Sequence, residues 1–149
     1  MKLPDNFAYY KVMLPKANGS GAIGEALSTP LVGQPLVGHT LTFLSIGKFS
    51  TQSEADACLK YIKSKFARTM LGTLKVTQDN PRETWTNVPL QDFTSDSDID
   101  WSKSVSAVDA AAKKKYQLDI NEIDAQLYAK YNLTKEEITF IETHVQEMK

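Results

Sequence analysis

Gly19-Ser20-Gly21-Ala22-Ile23-Gly24 fits the G-x-G-x-x-G pattern, in which glycines let a pyrophosphate approach the backbone at a helix N-terminus. That chemistry needs a substantial helix directly after the glycines and an acidic residue downstream to hold a ribose. Here Glu25-Ala26-Leu27 runs at once into Ser28-Thr29-Pro30, and no acidic residue stands between Ala26 and Ser53. As a dinucleotide site the match is accidental. As a loop, the same stretch offers Lys16, Asn18 and Ser20 as donors to a phosphate backbone.

Other constellations fail in similar ways. Asp79-Asn80-Pro81-Arg82 opens like the Asp/Asn-Pro-Pro-aromatic turn that grips the amino group of a flipped base. Arg82 stands where the second proline is required and no aromatic follows, so the stretch reads as a structural turn. Asp96, Asp98 and Asp100 have the spacing that opens a calcium loop, but no glycine makes the sharp turn and no glutamate closes it. His39 and His144 have no Cys or His companion at zinc spacing, and neither neighbours a nucleophile motif. Cys58 falls on the apolar side of its segment and reads as core. No catalytic residue and no metal ligand is assigned.

The remaining signal is cationic. At about 100° per residue, Ala55, Leu59, Ile62, Phe66, Thr69 and Met70 cluster on one side of a helix running from Glu54 to Lys75. Lys60, Lys63, Arg68 and, if the helix reaches it, Lys75 fall on the other side. The apolar side can be buried while the basic side meets an anionic partner. Lys48, near a strand end, and Thr77 and Gln78, after the helix, extend that surface toward phosphates or base edges.

The elements that must position these groups follow from local pattern. Phe7 to Leu14 reads as a strand ended by Pro15, and Thr40 to Ser45 as a second one between Gly38 and Gly47. A short strand within Leu31 to Val37 is confined to a sheet edge by Pro30 and Pro35. Thr51 or Ser53 caps the long helix, which weakens at Gly72. Trp85 to Leu90 is extended or irregular, and Ser95 to Asp100 forms an acidic hinge. Ala107 to Tyr116 is a good helix former, Ile120, Ile123, Leu127 and Tyr131 recur at helical spacing, and Asn132 terminates. Thr134 and Glu137 match a capping box for a last helix with Ile138, Ile141 and Val145 on one side.

Composition sets the bounds. The chain has 149 residues, 42% of them apolar, which suits one domain, or one domain with a helical appendage, and a real core. No apolar run approaches the roughly 18 residues of a membrane span, and the first six residues carry no apolar secretory segment. A lone cysteine fits a reducing compartment, so the expected location is cytoplasmic. The net charge of -1 hides a division: residues 1–90 carry ten Lys/Arg against six Asp/Glu, and residues 91–149 seven against twelve. A nucleic-acid surface belongs in the first part.

Several blocks are specific enough to carry a resemblance. Pro15 to Gly21, Thr42 to Gly47, Cys58 to Arg68, Leu74 to Asp79, Val88 to Phe93, Asp98 to Ser102, Leu127 to Tyr131 and Phe140 to Glu142 look like the C-terminal region of bacterial type II restriction–modification enzymes. Nearly the whole chain is covered. The family implied is the adenine-specific DNA methyltransferases, fused or stand-alone, with a target-recognition region after the catalytic domain. The catalytic part of such an enzyme brings an S-adenosylmethionine loop and the Pro-Pro-aromatic turn, and this sequence has neither. It has no nuclease Pro-Asp…Asp/Glu-x-Lys constellation, and residues 105–120 are longer than the family pattern.

Together these readings predict an α+β fold: a small, mainly antiparallel sheet packed on a long amphipathic helix, with a helical C-terminal tail. They divide the chain into a recognition domain, residues 1–94, and an acidic hinge with helical tail, residues 95–149. The resemblance implies recognition of double-stranded DNA, with no cofactor in this chain. Methyl transfer from S-adenosylmethionine, with or without cleavage, then belongs to a methyltransferase or nuclease domain of the parent. The DNA-facing residues expected from the pattern are Lys16, Asn18, Ser20, Lys48, Lys60, Lys63, Arg68, Lys75, Thr77 and Gln78. An alternative is a non-catalytic interaction module docking onto the catalytic domain. An autonomous hydrolase or nucleotide-binding enzyme ranks last.

Overall fold

In the computed structural model, which describes residues 2–17, 29–73 and 82–148, the α+β expectation holds. Strands β1 (Tyr10–Pro15), β2 (Leu31–Gly33) and β3 (Phe43–Phe49) form one antiparallel sheet in the order β2-β1-β3. The prolines do confine Leu31–Gly33 to an edge. β1 is central, which explains its nearly continuous burial. Val12 and Leu14 face a core with Cys58, Ile62 and Leu71.

On the opposite face lies a buried lysine. Lys11 is 1% exposed, and its Nζ donates to the carbonyls of Phe7, Tyr9 and Gln34 at 3.1–3.2 Å, and to that of Asn6 at 3.4 Å. Burial lowers its pKa, because the ammonium loses hydration that favours its charged form. The carbonyl cage ties the N-terminal segment and the turn after β2 to the central strand.

A bulge shapes β3. Tyr10 pairs with Phe49 and Val12 with Ile46, so β3 carries one extra residue between the pairs. Gly47 takes φ +84°, and an added Cβ would sit 2.1 Å from the Phe49 ring. Asn6 fixes this stretch, donating from Nδ2 to Gly47 O at 3.0 Å and Ser45 Oγ at 3.1 Å.

The expected single helix from Glu54 to Lys75 is two helices. α1 (Gln52–Lys63) begins at a capping box, Thr51 with Glu54, and α2 (Lys65–Gly72) stops where the glycine predicted weakening. Ser64 breaks the run with ψ 149°; its Oγ donates to Tyr61 O at 2.6 Å and accepts from Ala67 N at 3.1 Å. Asp124 then takes the N–H groups of Lys65 and Phe66 at 3.0 and 2.9 Å, satisfying the start of α2 from 59 and 58 residues away. The break is therefore held by tertiary structure.

The C-terminal half is helical, as expected, and shorter in each piece. α3 (Ala110–Tyr116) is capped by Asp109 and ends at Gln117 with φ 57°. α4 (Glu122–Lys130) is capped by Asn121, and Asn132 follows its end with φ 52°. α5 (Lys135–His144) starts at the predicted capping box of Thr134 and Glu137. A 3-10 turn covers Arg82–Trp85.

Residue 95 does not separate two cores. One cluster joins Tyr61, Phe66 and Ala67 to Ile99, Trp101, Ile120, Ile123, Leu127, Tyr128, Ile138 and Ile141. Nor is the acidic stretch a loose hinge: Ile99 and Trp101 are buried, with Trp101 Nε1 donating to Asp92 O at 2.8 Å. The aspartates turn outward and organise tight turns, Asp92 accepting from Thr94 and Asp100 from Ser102. These donors hold both carboxyls below the usual range.

Candidate nucleic-acid interface

The break at Ser64 redistributes the basic residues, because the wheel that aligned them assumed one continuous helix. Arg68 is 2% exposed: its Nε donates to Lys63 O at 3.1 Å and Nη2 to Gln146 O at 2.6 Å. Burial lowers its pKa, opposed by the nearby Asp124 carboxylate. Arg68 cannot reach a duplex, and the expectation that it contacts DNA is corrected. It joins α2 to the chain's own tail.

Lys60 is diverted in the same way. Its Nζ donates to Trp101 O at 2.5 Å and Lys103 O at 2.9 Å, leaving one N–H of the ammonium for other partners. It lines a cleft with Glu54, Asp56, Asp98 and Asp100, a setting that repels phosphate. Lys63 is half-buried, and the exposed Lys48 lies over the Tyr9 ring at 4.7 Å. Asn18, Ser20, Lys75, Thr77 and Gln78 lie outside the described residues.

A different grouping takes the place of the continuous face. Lys2, Lys16, His39, Leu41, Arg82 and Glu83 line a cleft of about 830 Å³ at one end of the sheet. Among the described residues, three cations face one carboxylate there. Lys16 is placed by β1: its backbone N–H donates to Thr42 O at 2.9 Å, which fixes the chain just past the strand. Arg82 is placed by the 3-10 turn that it opens, and is exposed. No hydrogen bond or ion pair among the described residues holds its side chain. His39 Nδ1 lies 2.9 Å from Thr40 O. Leu41 is 89% exposed on the same cleft, so the wall carries apolar surface beside the charge.

Of the expected residues, then, only Lys16 lines this cleft among those described. Lys2 and Arg82 were missed by pattern: a lysine near a chain start and an arginine in a degenerate motif carry no periodicity. Sequence adjacency was the available signal. Arg82 directly follows the stretch containing Lys75, Thr77 and Gln78, and Lys16 directly precedes that containing Asn18 and Ser20.

The other polar residues form a buried network between α2, α4 and α5. Asp124 accepts from Lys65 N, Phe66 N and, at 2.6 Å, Asn121 Nδ2. Lys65 pairs with Glu142 at 2.5 Å, and Tyr128 Oη donates to the other oxygen of Glu142 at 2.7 Å. Burial raises the Asp124 carboxyl and the Tyr128 phenol above their ordinary ranges. Every member of this network has a partner, and it lies inside the packing of three helices, so its role is structural. Among the described residues no cluster of His, Cys, Asp and Glu could hold a metal ion. No helix among them is long and apolar enough to cross a membrane.

No protein-family model, no curated protein and no solved structure matches the chain.

Proposed function

We propose that this chain recognises double-stranded DNA as the target-recognition part of a type II restriction–modification enzyme. Adenine methylation, with S-adenosylmethionine, then belongs to another region of the parent. The observation that carries this reading is the cleft where Lys2, Lys16 and Arg82 converge, with Glu83 the one carboxylate among the described residues that line it. Such a grouping attracts a phosphate backbone and sets the register of a duplex, while polar groups nearby supply specificity. The resemblance of the sequence blocks to restriction–modification enzymes supports DNA as the anion. The dispersal of Lys60 and Arg68 into the chain's own packing moves the proposed surface from the helix face to the sheet end.

The reading is tested by fluorescence anisotropy with a labelled duplex. The Lys16→Glu/Arg82→Glu double variant loses most of its affinity, while Lys60→Glu, in the acidic cleft, changes it little. Equal effects from both variants would remove the cleft from the account.

A second reading is a docking module for the methyltransferase or nuclease domain. Leu36 and Leu41, 69% and 89% exposed, favour it, because leucines left open to water are candidates for burial against a partner. Binding of the chain to the parent's catalytic part, together with no affinity for DNA, would select this reading over the first.

A further inference from the structure

Leu44, Ser45 and Arg82 line two clefts at once: the cationic one and a neighbouring cavity of about 340 Å³. The second cavity differs in chemistry. Tyr61, Trp85 and Phe93 give it three aromatic walls, and Leu90, 92% exposed, stands at its open side. Its volume is near the lower end of the roughly 300–1,000 Å³ typical of ligand pockets, room for one ring system rather than a long ligand. We propose that this cavity receives a single nucleobase unstacked from a DNA strand whose phosphates follow Lys2, Lys16 and Arg82. The inference rests on the DNA reading above and adds a second component to it.

Two observations converge. The first is continuity: Arg82 serves both clefts, so a backbone held at its guanidinium can direct one base into the aromatic walls. The second is the wall chemistry, since aromatic side chains beside a cationic track are the combination that captures unstacked bases. Tyr61 Oη donates to Pro89 O at 2.6 Å and Gln91 Nε2 to Tyr131 Oη at 2.7 Å, so the rings rather than these polar groups are what the cavity offers a base. Charge complementarity with the adjoining cleft favours a nucleic acid over an apolar peptide as the occupant.

The test uses the full chain and two labelled duplexes, one with a single bulged adenine and one with an abasic site at the same position. The duplex with the base binds more tightly by roughly 5- to 150-fold, the range that stacking one base on aromatic side chains provides. Trp85→Leu brings the two affinities together and leaves the salt dependence of both unchanged. Equal, salt-sensitive affinity of the wild type for the two duplexes would overturn the base cavity and leave the DNA reading standing. Absence of binding to either duplex would overturn the DNA reading, and the cavity proposal with it. A preference for the base that survives intact in Trp85→Leu would place the base elsewhere.

Discussion

Asp124 joins the start of α2 to α4, and its removal has a calculable consequence. Its carboxylate accepts two backbone N–H bonds at the start of α2 and one from Asn121. Asp124→Ala leaves those donors buried without acceptors and removes the negative charge near the buried Arg68. Hydrogen bonds to a charged group contribute about 1.5–3 kcal/mol each, and removing one member of a buried ionic network costs about 3–5 kcal/mol. We therefore expect a loss of about 4 kcal/mol, a large share of the roughly 5–15 kcal/mol of a typical domain. Urea unfolding followed by circular dichroism measures it, as a lower midpoint with an unchanged slope.

The pH dependence follows from the same burial. The Asp124 carboxyl is raised above its ordinary range by desolvation, which outweighs its three donors. Only between the unfolded and the folded value does the native chain bind a proton that the unfolded chain has released. This contribution is fully present below about pH 4 and is lost as pH rises through the higher folded value. Asp124→Asn cannot titrate, so its deficit relative to wild type shrinks as pH rises above about 4. A loss below about 1 kcal/mol in Asp124→Ala would refute the claim that this carboxylate holds the helix break.

Three further outcomes are expected. Arg68→Gln lowers stability by about 2–4 kcal/mol in the same urea assay, through lost charged hydrogen bonds to Lys63 and Gln146, and leaves any DNA affinity of the folded fraction unchanged. Gly47→Ala, forced to φ +84° and against the Phe49 ring, costs about 1–3 kcal/mol and lowers the thermal midpoint. Cys58, 1% exposed and with its thiol pushed up to about 12 by burial, resists alkylation by iodoacetamide in the native state. Its labelling in urea follows the unfolding curve, and rapid labelling of native protein would contradict that placement.

What the sequence made legible was local. The capping boxes at Thr51 and Thr134 are written within four residues, and both helices start where those residues indicate. The edge position of Leu31–Gly33 followed from flanking prolines. The break at Ser64 was not legible, because nothing between Glu54 and Lys75 forbids a continuous helix. The break is stabilised by Asp124, distant in sequence, and the periodicity of apolar residues runs through it. The misplacement of Arg68 and Lys60 follows from that one long-range contact and from carbonyls at Trp101 and Lys103 that only the folded chain brings near. The acidic run from Ser95 to Asp100 was read by its charge, whereas Ile99 and Trp101 within and beside it decide its structure. Arg82 was visible only as a departure from a motif, and its role as the residue shared by two clefts is a property of the fold.

The salt dependence of duplex binding tests the central claim most directly. Three cleft cations, Lys2, Lys16 and Arg82, displacing counterions at about 0.9 each give a slope of log affinity against log salt near -2.7. That is a weakening of roughly 40-fold between 50 and 200 mM. The Lys16→Glu/Arg82→Glu variant should retain a slope no steeper than about -0.9. A wild-type affinity that is indifferent to salt, or a slope that survives both reversals, would contradict the assignment of this sheet-end cleft to DNA.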